Sequence, residues 1–170
     1  MTSSLPYRNK GVTALELMLA VLVLAIVLAF SVPSFSNLLK DNRIETRTSE
    51  FATDLAFARS EAIKRRAKIE VSAATWEPTQ PASWSKGWTV SDVTSQAVLR
   101  ASSATSNETF DNAEGITQLT FLPNGYIKLS GINATATTFQ LCDDRHSEYG
   151  QVIHVSASGQ IERKVQILCP

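Results

Sequence analysis

The stretch Lys10-Gly-Val-Thr-Ala-Leu-Glu16-Leu-Met-Leu-Ala-Val-Leu-Val-Leu-Ala-Ile-Val-Leu-Ala-Phe-Ser-Val-Pro33 decides the fold. Arg8 and Lys10 give it a cationic start, and Gly11 is a small residue at the junction. From Val12 to Val32 there are about 21 residues with a single ionisable side chain, Glu16. At about 1.5 Å per helical residue the run is about 32 Å long, close to the hydrocarbon thickness of a bilayer. Backbone in lipid must satisfy its own hydrogen bonds, so the run is expected to be a helix. The basic flank holds the N-terminus in the cytoplasm and the rest of the chain is exported.

Glu16 is the odd residue, because a carboxylate at mid-bilayer costs roughly 2.5–3.5 kcal/mol and less near the interface. Two readings stand side by side. Thr13-Ala-Leu-Glu16 fits a capping box, in which Glu16 satisfies a free N–H at the helix start. Alternatively, Glu16 awaits a positive partner. Cleavage after Gly11 would create an amine on Val12 about one turn away, on this subunit or a neighbour.

A basic residue, Gly11, an apolar residue, Thr13, two apolar residues and Glu16 resemble the class III signal of type IV pilins and type II secretion pseudopilins. Val12 stands where that family places Phe or Met, and Ala14 where it usually has Leu. The resemblance implies cleavage between Gly11 and Val12 by a prepilin peptidase and N-methylation of Val12. It also implies subunit docking through Glu16 and a helix kink at Pro33. A simple secretory signal fits poorly: the apolar run is too long and no Ala-x-Ala site follows it.

Length and charge are consistent with this. The 170 residues suit one domain plus an anchor. Removing residues 1–11 takes Arg8 and Lys10, leaving 14 of the 16 cations against 16 acids. A balance near −2 excludes a generally basic nucleic-acid binder. Beyond Pro33, the residues Ile44, Thr48, Phe51, Leu55, Ala58 and Ala62 recur at spacings of three and four and predict a helix face on which a sheet packs. The charges between them read as a solvated surface. Lys64-Arg65-Arg66-Ala-Lys68 falls at the helix end, where cations offset the dipole; a phosphate patch is the other reading.

From Lys68 the period becomes two. Strands are expected at 68–72, 86–90, 98–100, 116–122, 126–129, 137–142, 151–155 and 161–167. A Pro/Ser/Thr-rich loop is expected over 73–85, with Trp76 and Trp84 as plugs over a sheet edge. A mobile loop is expected over 101–115. Asn124-Gly125 suggests a tight hairpin with positive φ angles. Phe57-Ala-Arg-Ser-Glu-Ala-Ile, Phe121-Leu-Pro-Asn-Gly125 and Ile153-His-Val155 followed by Gly159 resemble the GspH/FimT group of minor pilins and pseudopilins. Together these give an α+β, type IV pilin-like fold, a long N-terminal helix packed on an antiparallel β-sheet domain. Its parts are a leader at 1–11, a helix at 12–66 (transmembrane over 12–32, amphipathic over 33–66) and a periplasmic β domain at 67–170.

Cys142 and Cys169 are the only cysteines, both on the exported side where disulfides persist. Pairing them closes a loop of about 28 residues, worth roughly 3–4 kcal/mol in chain entropy. A zinc site would have to add His146 and His154 to the two thiols and is the weaker reading. The acidic loop at 143–148 lacks the spacing of a calcium loop. No catalytic motif, metal or cofactor is indicated.

Three functions follow: a minor pilin or pseudopilin in a filament or its tip, a DNA receptor for natural transformation, or an anchored periplasmic enzyme. FimT-type DNA binders carry a C-terminal Gly-Arg-x-Arg. Here Gly159-Gln-Ile-Glu162 replaces it, with Arg163 and Lys164 adjacent as candidate DNA contacts in a shifted register. The first reading is preferred. It implies a single-pass inner-membrane protein that enters a pilus or type II secretion pseudopilus and helps initiate assembly. Its partners would be other minor pilins, a major pilin, the prepilin peptidase and an inner-membrane assembly platform.

Overall fold

The computed structural model describes residues 11–75, 80–103, 108–131, 134–145 and 149–169, with the side chains at 30–34, 108, 149 and 165–168 left undescribed. Residues 1–10 of the expected leader, Trp76, His146 and the Pro33 side chain therefore lie outside the described residues. One helix, α1, runs Ala14–Arg65. Nine strands follow among the described residues: β1 Ile69–Ala74, β2 Ser83–Asp92, β3 Val98–Ser103, β4 Glu108–Asn112, β5 Gln118–Phe121, β6 Ile127–Leu129, β7 Thr137–Asp143, β8 Tyr149–Val155 and β9 Ile161–Leu168. They form two antiparallel sheets, ordered β3-β2-β1-β5-β6 and β4-β7-β8-β9.

The chain forms two compact units, Met1–Lys40 and Asp41–Pro170. The division falls inside α1 rather than at its end, because α1 from Ile44 onward supplies a wall of the core. In the first unit α1 is apolar all round from Leu17 to Ala29, and its large side chains from Leu15 to Leu28 are each at least half exposed. Among the described residues no helix is long and apolar enough to cross a membrane. The described side chains of the apolar run end at Ala29, short of the roughly 20 residues a span needs.

In the second unit, hereafter the head, the expected helical stripe is the buried one: Ile44, Thr48, Phe51, Leu55, Ala58 and Ala62 all face inward. Phe51 lies edge-to-face against Trp84, Trp88, Phe110 and Phe139 at centroid distances of 4.7–5.6 Å. Such pairs add about 0.5–1.5 kcal/mol each beyond area burial. Strand alternation supplies the rest. Ile69 pairs with Asp92 and Phe121, and Val71 with Val90 and Leu119, so one row points into the core while Glu70 and Ser72 point away.

Several sequence expectations change. The stretch expected to be a loop over 101–115 contains β4, paired with β7 from Glu108↔Asp143 to Asn112↔Phe139. Its one large apolar residue, Phe110, is buried, and a single apolar side chain gives no period to read. Trp84 is not an edge plug but a core residue inside β2, its Nε1 donating to the Ile116 carbonyl at 2.7 Å. The charged positions of α1 are not all solvated: Arg47, Asp54 and Glu61 are buried. Arg47 donates to Glu50 at 2.9 Å, Ser102 at 2.6 Å and the Ser103 carbonyl at 2.5 Å, and lies 4.2 Å over the Trp88 ring. Asp54 accepts from Trp88 Nε1 and from Arg100, both at 2.8 Å. These partners, most of them distant in sequence, make the burial of Arg47 and Asp54 tolerable.

The Asn124-Gly125 hairpin also differs. Gly125 N–H donates to the Leu122 carbonyl, and only Gly125 of the pair has positive φ, +81°. This is a three-residue loop with glycine in the left-handed position rather than a two-residue one. Ser156–Gln160 repeats it, with Gly159 N–H donating to the Ser156 carbonyl and φ at +73°. The two turns abut. Ile127 N–H donates to the Ala157 carbonyl at 3.0 Å, and Arg59 donates to the carbonyls of Gly125 (3.3 Å) and Ser158 (2.9 Å). One helix side chain thus fastens a turn from each sheet.

α1 ends in a Schellman motif: Ala67 N–H donates to the Ala62 carbonyl and Arg66 N–H to the Ile63 carbonyl. The left-handed position, usually glycine, is Arg66 at φ +52°. A side chain there costs about 1 kcal/mol or more over glycine.

Candidate assembly site

Gly11, Val12 and Thr13 precede the helix and are exposed, and nothing stands within 4 Å of a Cβ built on Gly11. Thr13 is the N-cap. Its Oγ1 accepts the Glu16 N–H at 3.2 Å and its carbonyl accepts the Leu17 N–H at 3.1 Å. This is one half of the capping box. The reciprocal half, Glu16 carboxylate to the Thr13 N–H, does not occur among the described residues, and the carboxylate is exposed. Glu16 sits at one end of a shallow groove continued by Leu19, Ala20, Val23, Leu24 and Val27. Those spacings of three and four trace one side of the helix. The arrangement offers an anionic group beside an apolar track, next to an open Gly11–Val12 bond.

Arg163 and Lys164 do not come together. Consecutive residues on β9 point to opposite faces. Arg163 pairs with the buried Ile153 and donates to Ser49 of α1 at 2.6 Å, whereas Lys164 pairs with Val152. The pleat therefore splits the two candidate DNA contacts.

Cys142 and Cys169 form a disulfide, with Cα atoms 5.9 Å apart. Both are buried, and Gly150 lies against them so closely that a Cβ there would overlap both sulfurs and the Leu141 carbonyl. With the thiols bonded to each other, the zinc alternative loses its sulfur ligands. No metal-ligating cluster occurs among the described residues. In the acidic loop, Arg145 bonds Asp143 and reaches Asp41 of α1 at 2.6 Å. Asp143 first and Asp41 second raise the Arg145 pKa above its usual value, against the effect of burial. Sequence reasoning missed this arginine, because the only signal was a cation inside an acidic run.

A long helix, Ala14–Arg65, whose second half packs against two antiparallel sheets has the architecture of a pilin-type subunit. A family model described as type II transport protein GspH matches residues 47–159, and the chain belongs to that family. Among solved structures it is similar to the type IV minor pilin FimU of Pseudomonas aeruginosa. Identity is 25% over 77% of this chain and 98% of that one, with a TM-score of 0.62. It shares its fold with the minor pseudopilin EpsH of the type 2 secretion system of Vibrio cholerae. There, identity is 11% over 71% of this chain and 95% of that one, with a TM-score of 0.53. No curated protein is significantly similar to the chain.

Proposed function

We propose that the chain is an inner-membrane minor pilin, cut between Gly11 and Val12, methylated on Val12 and drawn through Glu16 into a type IV pilus or its tip, where it helps initiate assembly. The observation that carries this is the Glu16 carboxylate, exposed and unbonded among the described residues, at the head of an apolar helix face. A charge placed there gains most by meeting the Val12 amine of a subunit arriving alongside. The apolar run to Val32 serves as the span, Pro33 as its bend, and the head lies in the periplasm. Other minor pilins, a major pilin, the prepilin peptidase and an assembly platform are the partners. No nuclease, hydrolase or transferase role is proposed. Likeness to FimU at higher identity and coverage than to EpsH favours a pilus over a secretion pseudopilus.

The test uses the full chain in its own cells. Glu16→Ala is expected to be processed yet absent from sheared filaments, and Gly11→Ala to remain uncut and migrate as a longer chain. Normal incorporation of both variants would falsify the proposal. The second reading, a secretion pseudopilin, follows the family's description. It predicts that deleting the chain stops exoprotein release and leaves surface pili intact.

A further inference from the structure

Asn124 is the only asparagine of the chain followed by glycine. That pair invites a backbone reaction, because glycine has no side chain to shield its nitrogen from the asparagine side-chain carbonyl. Both reacting groups are restrained here. The Gly125 N–H donates to the Leu122 carbonyl at 2.8 Å, and Asn124 Oδ1 accepts the Tyr126 N–H at 3.2 Å. The Leu122 N–H closes the turn on the Tyr126 carbonyl at 2.8 Å. Gly125 is buried, its carbonyl accepts from Arg59, and a Cβ built on it would meet Ile63 and Arg59. The Ser158 carbonyl of the second turn takes the other end of the same guanidinium. Asn124 itself is exposed, so water reaches the side chain that this fastening restrains.

We propose that Asn124 is a site of spontaneous deamidation that Arg59 holds shut. For reaction, the Gly125 nitrogen must leave the Leu122 carbonyl and swing against Asn124 Cγ. It then bonds that carbon, and the side-chain nitrogen departs as ammonia with the Gly125 proton, leaving a succinimide. Water opens either carbonyl of the ring and gives aspartate or isoaspartate. The swing requires the turn to open, and Arg59, by donating to one carbonyl in each turn, opposes that opening. The isoaspartate route puts an extra CH2 into the backbone just before Gly125 and so shifts the carbonyl that Arg59 grips. Loss of ammonia makes the change one-way, and a turn that has reacted does not regain its first form. This holds whichever assembly the chain serves.

The experiment keeps the purified full chain in detergent micelles at mildly alkaline pH and follows the peptide containing Asn124 by mass spectrometry. An isoaspartyl methyltransferase reports the isoaspartate share. The same chain unfolded in urea sets the unguarded rate, and the folded chain is expected to react about a hundredfold or more slower. Arg59→Ala should raise the folded rate about tenfold. Arg59→Lys, which cannot grip both carbonyls, should fall between the two and keeps the claim testable if Arg59→Ala does not fold. Arg145→Ala, which strips Asp41 and Asp143 of their common partner elsewhere on the head, should leave the rate unchanged. Absence of an Asn124 product in urea overturns the site. A folded rate equal to the urea rate overturns the guard, as does either Arg59 variant reacting at the intact rate. Equal acceleration by Arg145→Ala also overturns it, because the opening would then be global.

Discussion

At Gly159 the backbone is left-handed, and a Cβ would overlap the Gly125 carbonyl oxygen and crowd Arg59. Gly115 has a similar φ, +68°, but nothing within 4 Å. Both substitutions to Ala strain the backbone, yet only one also separates the twin turns. Gly159→Ala is expected to cost about 2–4 kcal/mol and Gly115→Ala about 1 kcal/mol, read as urea midpoints of the purified chain. Equal losses would show that the Arg59 fastening contributes nothing. Two carboxyls contribute to stability against acid. The Ser95 and Thr94 N–H groups hold Asp92 below the usual carboxylate range, and the Arg65 hydrogen bond does the same for Glu61. Each binds protons less readily folded than unfolded, so its stabilisation is complete above the unfolded value of about 4 and disappears as pH falls through the folded value. Stability should therefore hold from pH 7 to about 5 and decline below about 4. Asp92→Asn should flatten that decline, and an unaltered acid slope would contradict the assignment.

Among the elements, α1 and the terminal strand β9 show what short-range pattern can and cannot reveal. The buried stripe Ile44–Ala62 is legible because helical geometry brings together residues three or four apart. So are the hairpins at Gly125 and Gly159, whose glycines punctuate strand pairs. Strand β4 was not legible, since Phe110 stands alone among polar residues. Nor was the burial of Arg47 and Asp54, whose partners Ser102, Ser103, Trp88 and Arg100 come from strands 34 to 56 residues away. The Phe57-Ala-Arg59 phrase was recognisable as a resemblance, but its reason needed two turns, 66 and 99 residues downstream, to meet on one guanidinium. At β9 the anchoring is covalent, through Cys142–Cys169 at a sequence separation of 27. A Cys142→Ser, Cys169→Ser chain should lose roughly 3–4 kcal/mol. Hydrogen exchange should show the loss first in β9, an edge strand paired only with β8. Uniform exchange across both sheets would refute this local role.

For the whole molecule, the unit boundary at Lys40–Asp41 is the informative feature. The helix stops at Arg65, but the second unit begins within it, because Phe51 is at the centre of the core that the sheets share. A chain of residues 41–170 is therefore expected to melt cooperatively with fixed near-ultraviolet aromatic signals. A chain of residues 67–170 should lack both, because Trp84, Trp88, Phe110 and Phe139 would lose the ring they share. A cooperative transition in the shorter fragment would show that the sheets do not need α1.

The paired turns bear on how the protein is labelled. An epitope or fluorogenic tag inserted at 123–125 or 157–159 would push the two sheets off their common guanidinium. Gly115 and Gly131, with open space around them, are the sites where a microscopist can attach a reporter and still watch an intact subunit.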